Sequence, residues 1–399
     1  MAQALISRGV TEWVVNPTDY LNAAAWSRVQ ELAASQESPF LVVSLNKVRE
    51  QYVRLQKALP YATPYYAVKA NPAPEIIMLL RDLGACFDIA SVYELDRVLK
   101  LGVPAERLSC GNTIKKAQHV REFYRRGVRL FVTDSEADVR TLAAEAPGAR
   151  VFVRVLTEGS ATADWALSLK FGCPSDMAID LLVLARQLGL EPHGVSFHVG
   201  SQQRDIGTWD GALSKVKFII DWLRQREGIR LQMVNLGGGF PASYLHPTHP
   251  IELYAREITR FIEEDFGTER PRIIVEPGRY LVADAGVLVS RVVLIARKSY
   301  TALNRWVYLD VGKFGGLIET MNESIKFAIH VERTGEAEPV VLAGPTCDSL
   351  DILYEDHQYA LPLDLAIGDI VYWFATGAYT SSYSSVEFNG FPPLRTVFI

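Results

Sequence analysis

Lys69 ends an apolar, β-prone run, Pro64-Tyr65-Tyr66-Ala67-Val68-Lys69, just before the break Ala70-Asn71-Pro72. An amine buried at a strand end loses hydration, which disfavours the ammonium and lowers its pKa. A neutral lysine amine is what Schiff-base formation with an aldehyde requires. The alternative is a lysine that snorkels at a barrel rim, and the choice turns on what else shares that rim. Asp88 lies in Phe87-Asp88-Ile89-Ala90-Ser91, and His198 in Phe197-His198-Val199-Gly200-Ser201-Gln202. Gly237-Gly238-Gly239 ends another apolar run, and Glu276 opens Glu276-Pro277-Gly278-Arg279 after a further one. Singly, such a carboxylate or histidine reads as a satisfied structural group, and three glycines as a turn.

Together these residues have a chemical logic. Successive glycines leave backbone N–H groups open to a phosphate, and Arg279 adds a positive partner. Glu276 facing a ring nitrogen would keep it protonated, so that the ring draws electrons from a substrate carbanion, while His198 stacks on the ring face. An aromatic aldehyde with a phosphate handle, spanning from the glycines to Lys69, fits that set. Those roles describe pyridoxal 5′-phosphate.

The elements needed to gather these residues are legible. Strand candidates fall at 65–69, 85–91, 107–111, 129–133, 150–155, 194–200, 232–237 and 272–276, with helical patterns such as 74–83, 92–101, 135–146, 176–188, 209–226 and 253–264 between them. Eight strand–helix alternations suit an α/β fold, a (β/α)8 TIM-like barrel, whose functional residues gather at the C-terminal ends of the strands. The near-continuous Val/Ile/Leu content of several strands suits a parallel sheet buried on both faces. From 285 onward the pattern becomes strands without regular helices, at 286–297, 305–311, 339–343, 369–376, 386–389 and 394–399, the mark of a C-terminal antiparallel β-domain. A leftover strand at 40–45 could pair with it. The expected division is a barrel over 46–282, with 1–45 and 283–399 forming a discontinuous β-domain.

Composition narrows the partners. The 399 residues are 49% hydrophobic with a formal net charge of -5 and no basic block, which argues against nucleic acid and anionic membranes. The stretch 1–10 lacks an apolar signal core, and the most apolar later stretch, 285–296, is too short to span a bilayer. Cys86, Cys110, Cys173 and Cys347 are scattered without a Cys-x-x-Cys pair, as in a cytoplasmic protein with reduced thiols and no zinc site.

The ordered series Tyr-Ala-Val-Lys-Ala-Asn-Pro (66–72), Phe-Asp-Ile-Ala-Ser (87–91), Phe-His-Val-Gly-Ser (197–201), Gly-Gly-Gly-Phe-Pro (237–241), Glu-Pro-Gly-Arg (276–279), Gly-Pro-Thr-Cys-Asp (344–348) and Gly-Ala-Tyr-Thr (377–380) resembles the fold-type III pyridoxal-phosphate-dependent decarboxylases. Within that alanine-racemase-like barrel family it is most similar to the bacterial ornithine decarboxylases. The resemblance implies decarboxylation of L-ornithine to putrescine, a step of polyamine synthesis, in a homodimer with shared active sites.

By the resemblance, Lys69 carries the cofactor, Asp88 and Arg154 orient its surroundings, and Glu94 supports the helix after the second strand. His198 stacks on the ring and Glu276 pairs with its nitrogen. Ser201, Gly238, Gly239, Gly278, Arg279 and Tyr379 hold the phosphate. Cys347 protonates the carbanion and Asp348 binds the distal ammonium, both reaching the site from the partner subunit. Read without the family, Cys347 is equally a small buried hydrophobe and Asp348 a turn residue. The segment 314–323 occupies the place of a helix that gauges substrate length, where Glu319, Asn322 or Glu323 would contact substrate. The loop 157–169 resembles the family's mobile loop. Lysine or dual lysine/ornithine decarboxylation needs only a longer pocket. Diaminopimelate decarboxylases read Cys-Glu-Ser where this chain has Cys347-Asp348-Ser349, and a regulatory homologue would have lost catalytic residues that are present here.

Overall fold

The computed structural model describes residues 15–157, 162–165, 169–246 and 248–399. It begins with helix α1 (Ala23–Ser35), strand β1 (Phe40–Val43) and helix α2 (Leu45–Ala58). Then follow β2 (Ala62–Ala67), α3 (Pro74–Asp82), β3 (Cys86–Ile89), α4 (Val92–Lys100), β4 (Leu108–Cys110), α5 (Ala117–Arg125), β5 (Leu130–Thr133), α6 (Glu136–Glu145) and β6 (Arg150–Arg154). After them come β7 (Ala163–Trp165), α7 (Ser175–Gln187), β8 (Glu191–Ser196), β9 (Ser201–Gln203), α8 (Gly207–Trp222), β10 (Met233–Asn235), α9 (Ile251–Phe266) and β11 (Arg272–Val275). Among the described residues eight of these strands close a barrel in the order β10-β11-β2-β3-β4-β5-β6-β8, every pairing parallel. The expected (β/α)8 barrel is present, and its interior is filled by Tyr65, Leu130, Val132, Phe152, Met233 and Ile274. Strands β7 and β9 form a small antiparallel ladder, with Trp165 opposite Ser201.

One device ends four of the barrel helices. After α3, Gly84 (φ +87°) donates to the Arg81 carbonyl while Ala85 donates to that of Leu80. Gly102, Gly127 and Gly189 with Val103, Val128 and Leu190 repeat the pattern after α4, α5 and α7. This is the Schellman closure, which needs a left-handed residue that glycine supplies without strain. The residue after each glycine is buried, so the turn that ends the helix also points the chain into the next strand.

The chain divides into two compact units: Arg49–Pro241 with Thr248–Tyr280, and the remainder. The second unit holds β1 and β12 (Gly286–Ala296), β13 (Arg305–Leu309), β14 (Ile329–His330), β15 (Ala337–Ala343), β16 (Ile352–Pro362), β17 (Ile370–Phe374) and β18 (Arg395–Phe398). Its sheet runs β14-β17-β12-β13-β15-β16, and β1 joins by pairing with both β12 and β18. The leftover strand at 40–45 thus belongs to this sheet. Most pairings are antiparallel, but β13 with β15 and β1 with β18 run parallel, so the sheet is mixed. Phe40, Val42, Val287, Val289, Tyr372 and Phe374 form its core with Val29 and Leu32 of α1.

Two sequence expectations fail in this sheet. Residues 386–389 are not a strand. Glu387 and Asn389 take left-handed φ values of 62° and 51° around a 3-10 turn, Phe388–Gly390. The eleven-residue β16 was not foreseen, because Glu355-Asp356-His357 interrupts its apolar pattern. The register with β15 jumps there, between Tyr359 opposite Val340 and Tyr354 opposite Leu342. A bulge releases N–H groups from the ladder, and the Glu323 carboxylate accepts those of Glu355, Asp356 and His357 at 2.7, 2.8 and 2.8 Å. Among the described residues no helix is long and apolar enough to cross a membrane.

Candidate active site

Lys69 is not where the sequence reading put it. It lies on a 3-10 turn, Val68–Ala70, that follows β2, and it is exposed while Val68 and Ala70 are buried. The Asn-Pro break explains the early end of the strand. Asn71 folds its Oδ1 back to the Ala73 N–H at 3.2 Å, and the Tyr66 hydroxyl donates to the Asn71 carbonyl at 2.8 Å. The turn fixes the lysine's base at the C-terminal rim of the barrel.

Around Lys69 the barrel unit gathers the other predicted groups into one electrostatic cluster. Asp88 in β3 is 4% exposed and accepts from Ser109 Oγ at 3.1 Å. Burial drives its pKa well up, the charge of Glu276 adds to the rise, and Lys69 opposes it. Ser91 caps α4 by accepting from the Glu94 N–H at 3.2 Å, and the Glu94 carboxylate reaches back to the Ala90 N–H at 2.6 Å. That is close to a capping box, and it holds Glu94 in a buried setting that raises its pKa against the pull of Ala90 and Lys69. Arg154, at the end of β6, has its pKa lowered by burial, while Glu276, Asp134 and Asp88 act to raise it.

His198 follows β8. Its Nδ1 accepts from the Gly200 N–H at 3.0 Å, which places the ring proton on Nε2 of a neutral imidazole. Burial first, then the charges of Arg154 and Lys69, holds its pKa well below the ordinary histidine range. Glu276 is fixed by a residue the sequence reading missed. Asn235, the last residue of β10, donates to Glu276 Oε1 at 2.5 Å and accepts from the Gly237 N–H at 2.9 Å. An Asn two places before a glycine at a strand end was the available signal.

The glycines are required by close approach. A Cβ on Gly238 would sit 2.8 Å from the Glu276 carbonyl oxygen and 3.1 Å from His198 Nε2. One on Gly239 (φ +98°) would meet the Gly200 carbonyl oxygen at 2.6 Å. Beside them Arg279, 3% exposed, donates to Ser201 Oγ from Nε at 3.2 Å and from Nη2 at 3.1 Å. Gly278 is buried in the same turn. A buried permanent cation with a hydroxyl and a glycine turn is a donor set for a doubly charged anion.

The other unit holds Cys347, Asp348, Glu319, Asn322, Glu323 and Tyr379. Cys347 is exposed, and its N–H donates to Asn389 Oδ1 at 2.9 Å. Asp348 accepts from the Leu350 N–H at 2.8 Å. Sequence reasoning missed Asp351, which is 2% exposed and accepts from the Lys313 N–H, the Thr346 N–H and the Thr346 hydroxyl at 2.7, 3.1 and 2.7 Å. Gly312 and Gly344 leave room for it, since a Cβ on either would strike its carboxyl. Glu319 is buried, Asn322 is exposed with φ +52°, and the Glu323 carboxylate is taken by the three N–H groups of β16. Tyr379 has φ +55° and packs on Tyr383 with ring centroids 5.6 Å apart. Of the loop 157–169, Thr157 donates to the His198 carbonyl at 2.8 Å and 163–165 form β7. Residues 158–161 and 166–168 lie outside the described residues.

Residues 45–283, most of the chain, match the family model of the pyridoxal-dependent decarboxylase, pyridoxal binding domain. The chain belongs to the pyridoxal-dependent decarboxylases. It is 35% identical to the lysine/ornithine decarboxylase of Selenomonas ruminantium, over 91% of this chain and 90% of that one. The solved structure of lysine decarboxylase from the same organism superposes with a TM-score of 0.84 at 32% identity, covering 98% and 97% of the two chains. A lysine/ornithine decarboxylase from Vibrio vulnificus complexed with putrescine superposes with a TM-score of 0.85 at 29% identity, covering 95% and 99%. The resemblance to fold-type III decarboxylases is therefore confirmed, and pyridoxal phosphate is the cofactor of this decarboxylase. The donor set fits the group: the Gly238–Gly239 turn and Arg279 suit its phosphate, and the Asn235-anchored Glu276 suits a protonated ring nitrogen.

Proposed function

We propose that this decarboxylase converts L-ornithine to putrescine and carbon dioxide, in the cytoplasm, as a step of polyamine synthesis. The observation that carries the reading is the gathering of Lys69, Asp88, His198, Glu276 and Arg279 at one barrel rim, in a chain that also keeps Cys347-Asp348. Lys69 would hold the cofactor through its aldehyde carbon, its amine lying at the place the substrate amine would take. Arg279, Ser201, Gly238, Gly239 and Gly278 hold the phosphate, joined by Tyr379. Neutral His198 covers the ring face without adding charge, and Glu276 holds the proton at the ring nitrogen, with Asp88 and Arg154 setting the field around it. When bound, pyridoxal phosphate supplies the sink for the electron pair left by the departing carboxylate.

Cys347 then delivers a proton to the substrate Cα, and Asp348 holds the distal ammonium. Both are assigned to the partner subunit's contribution in a homodimer. The Glu323 carboxylate already serves three backbone N–H groups, which leaves Glu319 and Asn322 of the segment 314–323 to gauge substrate length.

A second reading, dual action on lysine and ornithine, is favoured by the Selenomonas relative and by the one-methylene difference between substrates, worth only about 1–3 kcal/mol in a pocket. The test offers ornithine, lysine, diaminopimelate and arginine to the purified protein with pyridoxal phosphate and identifies the amines by mass spectrometry. Predominant putrescine supports the first reading, and cadaverine at a comparable rate the second. A borohydride-sensitive cofactor band with no amine product from any of the four would overturn both.

A further inference from the structure

We propose that Asn389 is a positioning residue that sets where the Cys347 thiol stands. The inference rests on the reading of Cys347 as the proton donor. Three segments of the β-domain unit meet at the loop 344–351. Buried Asp351 ties Thr346, on the N-terminal side of the cysteine, to the Lys313 backbone. The next turn of chain is tied to the C-terminal segment, because Ser385 donates to the Phe314 carbonyl from N at 2.9 Å and from Oγ at 2.8 Å. Phe314 and Phe388 pack with ring centroids 4.5 Å apart. That segment then presents Asn389, whose Oδ1 takes the Cys347 N–H itself at 2.9 Å.

Asp351 fixes the residue before the cysteine, and Asn389 fixes the cysteine. The second anchor requires an unusual backbone, since Asn389 sits at φ +51° between Glu387 at +62° and Gly390 at +78°. Asparagine tolerates that region better than most residues and brings a side-chain acceptor to it. Glycine would tolerate the same backbone without the acceptor, and aspartate would keep both the tolerance and an acceptor. The three residues thus separate the hydrogen bond from the fold of the turn.

The chemistry exposes a misplaced thiol. Loss of carbon dioxide leaves an electron pair that must take its proton at the substrate Cα to give the diamine. If the proton goes instead to the cofactor's former aldehyde carbon, hydrolysis by water releases an aminoaldehyde and leaves the amine on the cofactor as pyridoxamine phosphate.

The experiment compares wild type, Asn389→Gly, Asn389→Asp and Cys347→Ala as full-length holoenzymes. It measures the ratio of aminoaldehyde to amine product, and the iodoacetamide alkylation rate of Cys347 resolved by peptide mass spectrometry. Cys110 and Cys173, both buried, serve as internal controls. Loss of one such hydrogen bond predicts a change of roughly threefold to tenfold in both readouts for Asn389→Gly, with Asn389→Asp near wild type. Asn389→Gly with wild-type product ratio and wild-type alkylation overturns the inference while leaving the role of Cys347 intact. A Cys347→Ala enzyme that yields amine alone removes that role, and the inference with it.

Discussion

The barrel rim and the loop 344–351 organise reactive groups in opposite ways. At the rim, burial and neighbouring charges shift the proton affinity of Asp88, Glu94, Arg154 and His198, with Glu276 among the charges that act on Asp88 and Arg154. In the loop, Cys347 is exposed and its neighbours hold main-chain N–H groups. The rim specifies charge states, and the loop specifies positions. A site built the first way is sensitive to side-chain identity, and one built the second way to backbone anchoring.

The largest break of that contrast is expected from Lys69→Ala, which removes the lysine amine of the rim cluster. Turnover should fall by more than about a hundredfold, the scale of a lost proton-transfer or nucleophilic group, and the borohydride-sensitive absorbance should vanish. A variant that still decarboxylates at the wild-type rate would sink the scheme. Gly238→Ala comes next. With 2.8 Å to a carbonyl oxygen the new methyl forces a backbone shift costing about 1–3 kcal/mol, visible as a lower Tm and weaker cofactor binding in a titration. On the loop side, Asp351→Asn leaves a donor facing donors in a buried place, and about 1–3 kcal/mol of stability should go with it, read by denaturant unfolding.

A pH series sharpens the rim half of the comparison. Asp88 and Glu94 bind protons more tightly folded than unfolded. Their contribution is therefore fully present below the unfolded carboxyl values of about 4, and is lost as pH rises through the higher folded values. In cofactor-free protein, Asp88→Asn should gain stability over wild type progressively as pH rises above the unfolded carboxyl value of about 4, read by denaturant unfolding at a series of pH values. A constant difference across that series would show that Asp88 does not titrate there. The smallest effect belongs to Glu323→Gln. It should lower stability by about 1 kcal/mol through the β16 bulge and leave the ornithine-to-lysine rate ratio alone, whereas a shifted ratio would restore Glu323 as a substrate contact.

These contrasts also explain what the sequence disclosed. Lys69, Asp88, His198, Glu276 and Arg279 sit in short motifs at or just after strand ends, where the alternation of apolar runs and helices already indicates which end of a barrel they share. Asn235 escaped notice because its work, bridging Glu276 and Gly237, joins two strands that are distant in sequence. Lys69 reads as buried from its apolar neighbours, but the strand ends two residues early, at Ala67, and the turn before the Asn-Pro break leaves the residue exposed. In the β-domain the pattern failed where polar residues are satisfied at long range: β16 carries Glu355-Asp356-His357 across a bulge because Glu323 accepts their N–H groups. Helix α5 shows the same limit in milder form, with Val120 and Phe123 alone buried along nine residues.

Strand β1 carries a consequence for biosynthesis. It lies between β12 and β18, in register from Phe40 opposite Arg395 to Val43 opposite Phe398, and the Ile399 N–H donates to the Val43 carbonyl at 3.0 Å. One of its partners is therefore made long after the last barrel strand, β11. Until then β1, buried along its full length in the finished fold, presents a bare, apolar strand edge, the kind that pairs with other chains. Barrel-first folding is the order the topology permits, with β1 and β18 joined afterwards, and nascent chains stalled before β18 are the stage at which a chaperone has most to protect.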